Sequence, residues 1–169
     1  SCLAISDLSE KVNLTLLALD LMAWLSREDE EGIRLPLEEE FNLAPGSLIT
    51  HLSHSHGAPF TDPLLADALG GHLIQDYRGQ ILKTCRQLLS EAFENKRACV
   101  LSWGIGHCGL AFNRDLTLPE TGEAVVGINP SIPADDTLLV GRITEQSGVH
   151  VASLVHYAAH PLSLIHISE

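Results

Sequence analysis

Apolar positions along the chain fall into two rhythms. Short, nearly continuous apolar runs cover residues 12–20, 47–54, 97–103, 137–143 and 149–158, each of strand length and each bounded by turn-forming residues. Residues 1–5 form a shorter run of the same kind. Between residues 72 and 95 the rhythm changes: Leu73, Ile74, Tyr77, Ile81, Cys85, Leu88, Leu89, Ala92 and Phe93 recur at helical spacing. This predicts a long helix whose other faces carry Arg78, Lys83, Arg86 and Glu94. A second, short helix is expected around Leu37 and Phe41, with Pro36 in its first turn and Glu38, Glu39 and Glu40 on a solvated face. Another helix is expected to begin near residues 21–25, and Asp62-Pro63 reads as a helix cap followed by a first-turn proline. Gln146-Ser147-Gly148 joins two apolar runs as a hairpin, and Gly104-Ile105-Gly106-His107-Cys108-Gly109 reads as a loop after a strand. The pattern predicts an α/β fold, a mixed sheet flanked by helices.

Composition narrows the picture. At 169 residues and 45% hydrophobic content the chain can bury one core, so one domain or part of one is expected. Ten basic against 22 acidic residues give a net charge of −12, which disfavours nucleic acid and anionic membrane surfaces as partners. An uncharged or lipid ligand would be gripped through apolar contact. No apolar run approaches the length of a transmembrane span, and no signal peptide is read in the chain, which begins at Ser1 without a methionine and leaves open that one preceded it. Cys2, Cys85, Cys99 and Cys108 form no Cys-x-x-Cys pair, and Cys85 and Cys99 read as small core residues. The oligomeric state is left open.

The candidate chemistry is concentrated in histidine. Thr50-His51-Leu52-Ser53-His54-Ser55-His56-Gly57-Ala58-Pro59 places three histidines at the end of an apolar run. If the strand stays extended, its period of two puts His54 and His56 on one face and His51 on the other, so two imidazoles converge as ligands for zinc or a related divalent ion. A histidine-rich surface loop is the plain alternative. At the far end, His160-Pro161 closes another apolar run and offers a rigid, distant third histidine. Asp20, at the end of the run at residues 12–20, is a candidate carboxylate for orienting a histidine, or simply a helix cap. Arg114, in Asn113-Arg114-Asp115, offers several donors to carbonyl or hydroxyl oxygens, against a surface ion pair with Asp115. His72 reads as a helix-start residue, and His107 as either a site or a loop residue. No Gly-x-Ser-x-Gly elbow is present to place a serine nucleophile, and the glycines at 104–109 are not a phosphate fingerprint.

Together His54-Ser55-His56-Gly57-Ala58-Pro59, Asn113-Arg114-Asp115 and His160-Pro161-Leu162-Ser163 resemble, in this order, the His-Thr-His-Ser-Gly-Pro, Asn-Arg and His-Pro-Thr-Ser segments of the neutral/alkaline non-lysosomal ceramidases. The resemblance implies a zinc amidohydrolase that cleaves the N-acyl amide of ceramide-like lipids. It implies His54 and His160 as metal ligands, His56 as a site residue orienting water or substrate, and Arg114 as a holder of substrate. It also implies a glutamate and a tyrosine beyond the end of this chain, and a secreted, periplasmic or membrane-associated location. The family's Ser-Gly-Pro is Gly57-Ala58-Pro59 here, which leaves another amide or ester open as substrate, as well as a metal-binding domain without chemistry. Residues 162–169 resemble one frame of a translated transposase sequencing adapter. Residues 1–161 are therefore expected to be a partial catalytic domain and residues 162–169 a non-native tail, in which His166 has no function.

Overall fold

A computed structural model of the chain describes residues 1–9 and 13–160. Among the described residues the fold is mixed α/β, mostly sheet with two α-helices. Two compact units, Ser1–Lys96 and Arg97–Glu169, divide it.

The first unit holds β1 (Cys2–Ser6), β2 (Asn13–Leu19), α1 (Arg27–Glu40), β3 (Leu48–Leu52) and α2 (Ile74–Glu94). β1 pairs antiparallel with β2, and β2 pairs parallel with β3 across the α1 crossover that a parallel pair requires. Leu17 and Leu48 from the sheet meet Ile33 and Leu37 of α1 and Cys85 and Leu89 of α2 in a fully buried cluster. The apolar stripe read from residues 72–95 is therefore the face that α2 buries, preceded by a 3-10 turn at Gly71–Leu73. Asp62 caps the 3-10 turn at Pro63–Leu65 as expected, its carboxylate accepting from the Leu64 amide at 2.9 Å.

Four expectations change. No helix begins at residues 21–25; α1 begins at Arg27, where Ser26 accepts from the Asp29 amide at 3.1 Å and acidic residues fill the first turn. Pro36 accordingly lies inside α1, four residues after Gly32, so the ring faces the carbonyl of a residue with no side chain. Glu38 is turned inward, 8% exposed, and is held by Arg34 at 2.7 Å, while Glu39 and Glu40 stay exposed. The largest change concerns Arg78. It sits on the apolar stripe of α2, 7% exposed, and pairs at 2.6 Å with Asp29, which is fully buried.

The second unit is β4 (Cys99–His107), β5 (Asp115–Thr117), β6 (Ala124–Val126), β7 (Thr137–Glu145) and β8 (His150–Tyr157). β4, β7 and β8 form an antiparallel sheet, and β5 and β6 a two-stranded one. The hairpin turn between β7 and β8 has Gly148 at φ +88°, a conformation glycine adopts without steric cost. Gly104 and Gly106, expected in a loop, continue β4, because Val140 and Leu138 of β7 supply their cross-strand partners. Trp103 covers Gly141 on the facing strand, where a Cβ would collide with its ring. Cys99 is exposed rather than buried, whereas Cys85 is fully buried. Among the described residues no helix is long and apolar enough to cross a membrane.

Two predictions follow from this packing. A Cβ at Gly32 would strike the Arg78 guanidinium, so Gly32→Ala should destabilise the fold by about 1–3 kcal/mol in urea unfolding, although alanine is the better helix former by about 1 kcal/mol. Burial pushes the Cys85 thiol up to about 11, so at pH 8 alkylation of the folded chain, counted by mass spectrometry, should spare Cys85 and label exposed Cys99.

Candidate metal centre

The histidine segment leaves the sheet by a different route from a continued strand. β3 ends at Leu52, and His54 takes a left-handed backbone, φ +57°. Such a conformation is uncommon for a residue with a side chain and persists only where neighbouring contacts hold it. Here they do. Ser53 donates to the Leu19 carbonyl at 3.0 Å and Ser55 to the Leu21 carbonyl at 3.2 Å, so the backbone on both sides of His54 stays tied to the strand that precedes α1. His51, inside β3, is exposed and points elsewhere by the strand's alternation.

The left-handed turn brings the two rings together. His54 Nε2 and His56 Nε2 are 3.2 Å apart, with ring centroids at 4.8 Å and planes at 86°. His54 Nδ1 lies 2.9 Å from the Met22 carbonyl, which accepts only if Nδ1 carries the proton. In the neutral ring Nε2 then bears the lone pair, directed at His56. Two imidazole nitrogens bound about 2.0–2.1 Å from one tetrahedral ion stand about 3.3 Å apart. The donor set thus fits a divalent ion: two Nε2 atoms at the spacing of a coordinated pair, one of them oriented through its second nitrogen by a backbone carbonyl.

The other sequence candidates are placed as follows. Asp20 is exposed at the end of β2, and the oriented histidine uses the Met22 carbonyl instead; the helix that Asp20 was to cap is not formed. His72 lies exposed in the 3-10 turn before α2. His160 lies in the second unit, exposed, three residues beyond β8, and Pro161 with the tail at 162–169 falls outside the described residues. Arg114 is exposed in the turn before β5, and among the described residues it makes no ion pair with Asp115. Its backbone carbonyl receives the amides of Leu116 and Gly127, so the base of this side chain is fixed. Tyr157 secures the preceding loop, donating to the Cys108 carbonyl at 2.6 Å and accepting from the Ala111 amide at 2.7 Å. His107 bonds Asp136 at 2.9 Å on an exposed edge, and Thr137 holds the Asp135 carboxyl below its ordinary value through hydrogen bonds.

Within the first unit a cavity of about 480 Å³ opens three residues beyond His56, lined by Pro59, Phe60, Leu65, Leu73, Ile74 and Tyr77 among others. Its wall is almost wholly apolar. Sequence reading missed this cavity and the Met22 carbonyl; a backbone acceptor leaves no residue signature, and Phe60, Leu65 and Leu69 lie in a stretch with no clear period.

No family model matches the chain, and no curated protein or solved structure matches it either.

The hydrogen bond to Met22 sets one prediction. In the metal-free chain at neutral pH, nitrogen-15 shifts should show His54 as the single Nδ1–H tautomer; a tautomer mixture like that of free imidazole would show that the carbonyl does not orient the ring.

Proposed function

We propose that His54, His56 and His160 hold a zinc ion and that the chain is part of a larger hydrolase domain, an amidohydrolase resembling the neutral ceramidases. The observation that carries this reading is the Nε2–Nε2 separation of 3.2 Å with His54 oriented from behind by the Met22 carbonyl. With His160 as the third ligand that the resemblance implies, the set would be of the type that catalytic zinc uses with one position left open. The order of the three short motifs along the chain supports the family assignment.

Bound there, zinc supplies Lewis acidity toward an acyl carbonyl and toward water. The protein's residues supply the rest. His54, half-buried and fixed at Nδ1, holds its Nε2 lone pair in place. His56, exposed, offers its Nε2 to the same ion from the solvent side. Arg114 offers an exposed guanidinium to the hydroxyl or carbonyl oxygens of a substrate head group. The apolar cavity beyond Pro59 suits a hydrocarbon chain, and the net charge of −12 favours a neutral lipid over an anionic one. Taken with the resemblance, these features favour an N-acyl lipid of the ceramide type as substrate.

The test measures zinc first and hydrolysis second. The wild-type chain should bind one zinc per molecule, and His54→Ala and His160→Ala should each abolish stoichiometric binding. A chain extended through the glutamate and tyrosine that the resemblance implies should then release fatty acid from long-chain ceramide and fail on short polar amides. Zinc binding indifferent to both substitutions overturns the metal site. Equal cleavage of short polar amides overturns the lipid substrate but leaves the zinc hydrolase standing.

A further inference from the structure

We infer that Arg78 is a positioning residue for His54, acting through Asp29 and Thr61. Its Nη1 donates to Asp29 Oδ1 at 2.6 Å and to the Thr61 carbonyl at 2.9 Å. Asp29 Oδ2 in turn accepts from Thr61 Oγ1 at 3.1 Å and, at 3.4 Å, from the Leu25 amide. All three side chains are buried. The network therefore grips both flanks of the histidine segment. Leu25 closes the stretch that begins with Met22, whose carbonyl orients His54, and Trp24 within that stretch also bonds Thr50 of β3 at 3.2 Å. Thr61 lies five residues beyond His56 and fixes the chain as it leaves the site. A left-handed His54 needs both flanks held, since nothing in its own backbone preference keeps it there.

The proposal rests on the metal reading only for its effect on affinity; its effect on the ring is measured without metal. Lysine keeps the charge at position 78 but has one compact ammonium in place of a planar fork. In Arg78→Lys, His54 should lose its single Nδ1–H tautomer in nitrogen-15 spectra of the metal-free chain, and cobalt(II) affinity should fall by about 10–100-fold. Thr61→Val, which removes one donor to Asp29 at nearly constant volume, should shift both readouts in the same direction by less. Leu89→Ala lowers stability without touching the network and should leave the tautomer as in wild type. A folded Arg78→Lys chain with the wild-type tautomer overturns the proposal. If Arg78→Lys does not fold, Thr61→Val decides, and a wild-type tautomer there overturns it. If the wild-type chain binds no cobalt, the metal reading fails while the tautomer comparison still decides the role of Arg78.

Discussion

The first unit is arranged around a charge pair that the apolar core surrounds. Arg78 and Asp29 meet at 2.6 Å with almost no access to solvent, one from each helix. Taking two such charges out of water costs several kcal/mol per ion, which their attraction offsets only when geometry and further hydrogen bonds are good. Here Arg78 Nη1 also reaches the Thr61 and Asp29 carbonyls, and Asp29 Oδ2 accepts from Thr61 Oγ1 and the Leu25 amide. Such a pair adds little to net stability over an apolar replacement, but removing one partner strands the other. Its effect is to specify which surfaces of α1 and α2 meet, and Gly32 is the residue that lets the guanidinium lie against α1.

That constraint propagates to the histidines through the chain rather than through a bond. β2 runs into the stretch at residues 20–26, which must reach α1 with Asp29 already turned inward. The carbonyls of Leu21 and Met22 are thereby presented along the edge where the segment after β3 runs, and they take the Ser55 amide and the His54 ring. The imidazole pair is a consequence of two parallel strands whose exits stay paired for a few residues beyond the regular sheet.

Much of this was legible in the sequence, for identifiable reasons. Apolar runs of strand length located β2, β3, β4, β7 and β8 to within a few residues, because burial on a sheet demands that pattern. The stripe from Ile74 to Phe93 located α2. The start of α1 was obscured by its low apolar content, although Ser26 three residues before Asp29 carried the capping signal. Arg78 was assigned outward by residue type, yet it stands four residues after Ile74 and seven before Cys85, on the buried stripe itself; its position was the better guide than its charge. The convergence of His54 and His56 was anticipated from strand alternation, but it arises from a left-handed residue that breaks the strand, a feature set by flanking hydrogen bonds and invisible to periodicity.

The central claim is that the Nε2 pair of His54 and His56 is a metal-binding pair and not merely a hydrogen-bonded one. X-ray absorption on the zinc-loaded chain tests it most directly. The account predicts a first shell with at least two imidazole nitrogens at about 2.0–2.1 Å in the wild-type chain, and loss of that shell together with the stoichiometric zinc in His54→Ala and in His56→Ala. A shell of oxygen alone, or one unchanged by both substitutions, would contradict it and leave the two rings as a hydrogen-bonded pair.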